Sequence, residues 1–298
     1  MTALSILVAS VVMIGMFWVV PTGLALLDGP RPPGLDRLRR AWPLLAVPGA
    51  LSLWLPRSGL SAGLAAVYAL ATLALACQAP ARLMLTRSLR PAEAAVLTAL
   101  AAPSVAGLAL VAERASYPLF GFDLDILALT VPHFHFAGFA AALVAGLVCR
   151  AAQDGPTARC AALSVPAGTL LVLIGYFVDD WAELAGAVVL TAGMAAVSVL
   201  TLRERRALAA DGPTRALLAV SALVLVATML LALNWALGEA TGLPHLDLTW
   251  MAATHGLGNA LGFAVCALLA RRRLHADGVP TAPTAPATPA HPRTETPA

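Results

Sequence analysis

Lysine is absent from this chain: all 19 basic residues are arginine, set against 16 aspartates and glutamates. That absence reflects base composition, because alanine and arginine are both plentiful, and it carries no chemistry of its own. The shortage of charge is more informative. Charged residues make up 12% of the chain and hydrophobic ones 59%, whereas a soluble domain carries about 25% charge. An ordinary soluble fold is excluded, and no nucleic acid is expected as a partner. The four cysteines, Cys77, Cys149, Cys160 and Cys266, lie in or at the ends of apolar runs and show neither CxxC nor CxxCH spacing. A disulfide framework, a zinc knuckle and covalently attached haem therefore have no support. A nucleophile elbow, an HExxH pair and a P-loop are also missing, so there is no complete enzyme signature and no motor for an ATP-driven pump.

What is present is a series of nine apolar segments: 3–27, 41–55, 60–79, 91–112, 126–149, 160–178, 181–202, 216–237 and 248–270. About 20 apolar residues cross the hydrocarbon core as a helix. The expected fold is all-α, a polytopic bundle of nine spans over residues 1–273, followed by a disordered Pro/Thr/Ala-rich tail over 274–298. The first segment is too long for a signal peptide and has no basic region before it. The second is short and carries Pro43 and Pro48, so it reads as a kinked span or a re-entrant hairpin.

Arginine placement decides the sidedness. With nine spans, 17 arginines fall in loops on one side, and Arg57 and Arg114 alone fall on the other. The positive-inside rule then puts the amino terminus outside and the carboxyl terminus in the cytoplasm. The same count favours the second segment as a true span, since a hairpin there would switch the side of every later loop. The bilayer is the expected partner, with a second copy or another membrane protein as the remaining class.

The fifth segment, Ile126 to Cys149, is the one around which the rest is organised. It carries His133 and His135 directly after Pro132, and an ionisable side chain inside a membrane segment is expensive enough to be a functional hypothesis. On a regular helix two residues apart means about 200° apart. Both rings can share one ion only if Pro132 unwinds the backbone. Otherwise one ring serves a site while the other bonds a neighbouring helix, or the rings serve two cofactors. Two interfacial histidines with no ligand are the structural alternative. His133 and His255 each lie seven residues into their segments from the outer side, and Asn259 follows His255 at i+4 on a stripe with Ala252 and Gly262 that lets another backbone approach. Asp179, Asp180 and Glu183 lie at the same outer boundary and supply oxygen ligands or proton acceptors.

Two functional classes follow. The first is a transporter or ligand-binding site in which His133, His135, His255, Asn259, Asp179, Asp180 and Glu183 bind a ligand or a proton. The second is a membrane enzyme in which His133, His135 and His255 hold a divalent metal (zinc, copper or iron) or a haem at the outer face. Both expect the three histidines in one site, with two rings about 4 to 8 Å apart across a shared cavity.

At PHFHFAGF (132–139) and THGLGNALGF (254–263) the chain resembles the YndJ-like family of bacterial integral membrane proteins, some of which are labelled transporters. The likeness covers roughly residues 1–273 and maps onto His133, His135, His255 and Asn259. Some members carry a further domain after the spans, where this chain has its Pro/Thr tail.

Overall fold

The computed structural model describes residues 2–153, 155–207 and 210–277, and among these all regular structure is helical. Nine rods follow one another: α1 (Ala3–Ala25), α2 (Pro33–Ser52), α3 (Gly59–Thr86), α4 (Pro91–Arg114), α5 (Leu124–Ala151), α6 (Pro156–Gly175), α7 (Asp180–Ala207), α8 (Gly212–Thr241) and α9 (Leu248–Ala276). Proline sets much of the punctuation. Pro33, Pro91 and Pro156 open their helices in the first turn, where a missing N–H is harmless. Inside rods the same residue interrupts the hydrogen-bond ladder: α3 breaks at Cys77 ahead of Pro80, and α4 at Ala102 ahead of Pro103.

The second segment is a continuous helix and not a re-entrant hairpin. It begins at Pro33, earlier than the sequence pattern suggests, so Arg37, Arg39 and Arg40 sit on its first turns rather than in a loop. Asp36 in the first turn faces the positive end of the helix dipole. Pro43 and Pro48 remove two ladder bonds without ending it, because packing holds the helix in place. Trp42 is fully buried and donates its indole N–H to the Met16 carbonyl of α1 at 2.8 Å.

Eight of the rods are long and apolar enough to cross a membrane. The chain is a multi-pass helical membrane protein. The ninth rod, α2, falls outside that set because its first turns carry Asp36 and three arginines. At the far end α9 continues to Ala276, three residues past the predicted edge of the membrane domain. Residues 278–298 of the predicted tail lie outside the described residues.

Helix α5 occupies the centre. Of its apolar stretch 83% is buried, against 28 to 56% for the seven other apolar rods. Peripheral rods turn apolar side chains outward instead, such as Leu44, Leu70, Leu223 and Leu230, as a lipid-facing surface requires. The α6–α7 hairpin is packed almost backbone to backbone: a Cβ on Gly168 would lie 2.5 Å from the Leu190 backbone.

Ionic clamps fasten the two ends of the bundle. Where α1, α3 and α5 end and α4 begins, buried Arg82 bonds Glu93 at 2.5 and 3.1 Å and also donates to the Asp28 and Pro30 carbonyls. Arg150 reaches the same carboxylate at 2.7 Å. At that end too, Arg271 pairs with Glu204, and Arg273 pairs with Asp211, the N-cap of α8. At the opposite end Arg57 and Arg114 both bind Glu113, and Arg114 also donates to the Ser52 and Leu55 carbonyls.

Candidate functional site

Three rods depart from α-helical spacing, and they are the ones that meet around the histidines. Gly15–Val19 in α1, Phe134–Ala141 in α5, and Ala252–Gly256 with Gly258–Val265 in α9 are π-helical, and the α1, α5 and α9 segments touch one another. A π-bulge re-aims the side chains that follow it and is frequent at functional sites. In α1 the cause is local. The Val20 N–H bonds the Gly15 carbonyl, and Pro21 has no N–H to offer Met16. The Met16 carbonyl therefore accepts from Trp42 instead.

His135 is completely buried, and both of its ring nitrogens are engaged. Nδ1 lies 2.7 Å from the Val131 carbonyl, which can only accept, so the proton is on Nδ1. Nε2 is then an acceptor, and the Tyr68 hydroxyl of α3 donates to it at 2.5 Å. The two rings are stacked with centroids 5.9 Å apart, Trp42 meets Tyr68 edge-on, and Gly15 of α1 clears space for the His135 ring. This ring is a fastener between α5, α3 and α1.

His255 is likewise committed. Its Nδ1 donates to the Thr228 carbonyl of α8 at 2.8 Å, so Nε2 accepts, and the Asn259 amide nitrogen lies 3.1 Å from it. The Asn259 carbonyl oxygen accepts from the Thr228 hydroxyl at 2.9 Å. The Thr228 hydroxyl also lies within reach of the Val224 and Leu225 carbonyls of its own helix, at 3.0 and 3.1 Å, and this group of contacts joins α8 to α9. The small-residue stripe of α9 faces α8 as well: Gly258 and Gly262 lie against Thr228 and Val224.

His133 differs from both. It is half-buried and forms no hydrogen bond with the described residues; its ring touches Phe134 edge-on and lies within electrostatic range of His255. Of the pair, His135 bonds a neighbouring helix through Tyr68.

The carboxylates stand elsewhere. Asp179 accepts from the Ala182 N–H at 2.8 Å as the N-cap of α7, and Asp180 and Glu183 lie in that helix's first turn, where acids favour the dipole. The charges that Glu183 faces are Asp180 and Glu239, and Glu239 pairs with His245 at 3.0 Å. Among the described residues no group of three or more His, Cys, Asp or Glu side chains is placed to hold a metal ion. The expected His133, His135 and His255 ligand set finds no support among the described residues: Tyr68 and Val131 engage the nitrogens of His135, and Thr228 and Asn259 lie against those of His255. Two surface grooves, both lined by Met13, Phe17 and Trp54 between α1 and the end of α2, lie apart from these rings.

Sequence reasoning passed over Tyr68, Thr228 and Gly15. Tyr68 had a visible signal, being a lone phenol in the apolar run LAAVYALATLAL. Thr228 and Gly15 had none, since single threonines and glycines are ordinary in membrane helices.

No curated protein and no solved structure matches the chain. The family model described as YndJ-like protein matches residues 10–263, which include all three of these histidines and the π-helical segments of α1 and α5. That span is most of the sequence, and the chain belongs to the YndJ-like family.

Proposed function

We propose that this protein crosses the bacterial inner membrane nine times, with its amino terminus outside, and that His133 facing His255 forms a proton-linked ligand site of transporter type. The observation that carries the reading is the contrast among the three rings: two are engaged in interhelical bonds, while His133, in the most buried rod, forms no hydrogen bond with the described residues. Polar groups inside a membrane protein normally find partners, so an available ring at the centre of the bundle points to an exchangeable one. Nine crossings are supported by α2 lying along α1 and α3, with Trp42 on Met16 and Gly49 against Tyr68. The 17 to 2 division of arginines supports the orientation. The metal or haem enzyme reading loses support with its ligand set.

The test is accessibility. In a chain whose four cysteines are replaced by serine or alanine, His133→Cys should react with a membrane-impermeant thiol reagent added to the outer face of intact cells. Labelling from the cytoplasmic side alone, or from neither side, would refute an outward-opening site.

A further inference from the structure

The turn between α8 and α9 carries a histidine whose two ring nitrogens both face acceptors. Helix α8 ends at Gly242, whose left-handed φ of 74° turns the chain back over the helix it has just left. The Gly242 N–H bonds the Gly238 carbonyl at 2.7 Å, so the last turn closes in the way glycine favours. Further along the turn, His245 lies against the end of α8. Trp235, Gly238 and Glu239 stand at i, i+3 and i+4 and so share one face of that helix, and each meets the ring. The indole packs edge-on with centroids 4.9 Å apart. A Cβ on Gly238 would lie 2.2 Å from the ring Cδ2, so only glycine leaves room for it. Glu239 Oε1 lies 3.0 Å from Nε2, and the Leu246 carbonyl lies 3.0 Å from Nδ1.

A carbonyl can only accept, so Nδ1 carries a proton. A carboxylate also only accepts, so the contact at Nε2 requires one more proton between ring and carboxyl group. It is held either as imidazolium facing carboxylate or as carboxylic acid facing imidazole. Without it two lone pairs would face each other. The seat of the ring is therefore complete only with that proton bound.

The other charges at this end of the bundle leave no substitute for it. Arg57 and Arg114 both bind Glu113. The remaining acids are Asp123 and Asp125 at the start of α5, Asp179, Asp180 and Glu183 at the start of α7, and Asp247 before α9. Asp179 and Asp247 accept from backbone N–H groups as the N-caps of their helices. Glu183 and Tyr176 of α6 lie within electrostatic range of Glu239, and Asp180 within range of Glu183. None of these neighbours carries a positive charge.

We propose that His245 and Glu239 form a proton-operated latch: one bound proton clips the 242–247 turn onto α8, and its loss frees the turn and loosens the entry of α9. The proton comes from and returns to the surrounding water, and no other bond changes. Asp247 caps α9 at the end of the same turn, so the clip also fixes the start of the helix that carries His255. The docked turn holds one proton more than the free one. Docking therefore strengthens by at most about tenfold for each unit of falling pH and is lost as pH rises.

The experiment uses the full chain in lipid nanodiscs, with hydrogen exchange followed by mass spectrometry and each rate divided by the intrinsic rate at that pH. The reporting amides are those of Gly242, Trp250 and Met251, which bond Gly238 and Asp247. Their protection should fall along one step as pH rises, by up to about tenfold per unit. Glu239→Gln should remove the step and keep the turn protected, because a glutamine amide donates to a neutral Nε2 with no added proton. His245→Ala should leave these amides weakly protected at every pH. Glu183→Gln should keep the step. Protection in the unaltered chain that is flat or falls toward acid would overturn the proposal. So would an unchanged step in Glu239→Gln or His245→Ala, or its loss in Glu183→Gln, which would assign the titration to the acids of α7.

Discussion

Replacing Tyr68 by Phe removes a single oxygen from the centre of the bundle, and its effect can be worked through from the geometry. The lost group is the hydroxyl that donates to His135 Nε2 at 2.5 Å. His135 cannot compensate by changing tautomer, because its Nδ1 proton is bound to the Val131 carbonyl. The ring is fully buried, so Nε2 is left as an acceptor with no partner and no water. Such a group typically costs about 1–3 kcal/mol. Interhelical polar bonds measured inside membranes average about 0.6 and reach about 1.7 kcal/mol, because the unfolded chain in the bilayer also finds partners. The expected loss for Tyr68→Phe is therefore about 1–2 kcal/mol. His135→Leu should lose a comparable amount by orphaning the Tyr68 hydroxyl, and the double variant should lose clearly less than the sum. The assay is reversible unfolding in mixed micelles followed by tryptophan fluorescence, with a double-mutant cycle. Additivity within about 0.3–0.5 kcal/mol would mean that the two side chains are not coupled and that His135 is not a fastener.

Gly15→Ala would place a methyl group 2.9 Å from the His135 Cβ and should destabilise by about 1–3 kcal/mol through overpacking. Gly63→Ala, where nothing lies within 4 Å, should be neutral or stabilise by up to about 1 kcal/mol, and equal losses at both glycines in the same unfolding assay would contradict the packing. Arg82→Met breaks a buried pair and frees the Asp28 and Pro30 carbonyls, so a loss toward the lower end of about 3–5 kcal/mol is expected because Arg150 still faces Glu93; an unchanged midpoint would show the clamp to be dispensable. Hydrogen bonds from Thr214 and then from Arg273 hold the Asp211 carboxyl down at about 2, below its ordinary 3.8. A depressed carboxyl stabilises the fold above its unfolded value and loses that contribution as pH falls through about 2, so the Thr214 amide should lose hydrogen-exchange protection over that interval. The Asp211→Asn protein should show no such step, and an identical profile in both would refute the cap.

Apolar segments announced the rods well because membrane spans must satisfy every backbone group internally and are written as long runs. The exception is α2, whose first turns are charged and whose two prolines read as a break; the packing that keeps it helical, Trp42 on Met16 and Gly49 on Tyr68, joins residues distant in sequence. The central place of the His133 segment was legible, since an ionisable pair there needs protein on all sides. Which ring faces what was not. That depends on the π-bulges at Gly15–Val19 and Phe134–Ala141, which shift the register beyond any count made with regular helical geometry. The role of the acids of the DDW turn was hidden for a different reason, because Asp179 and Asp180 serve as a helix cap and first turn, and such a role looks the same in sequence as a ligand pair.

The central claim is that His133 alone among the three intramembrane rings is exchangeable, and NMR of protein carrying nitrogen-labelled histidine reads it directly. His135 and His255, assigned by single substitution, should each show a fixed neutral tautomer protonated on Nδ1, as their bonds to Val131 and Thr228 require. The signal lost in His133→Gln should instead respond to pH. A fixed, protein-bonded tautomer for His133, or a response to pH confined to His255, would contradict the account.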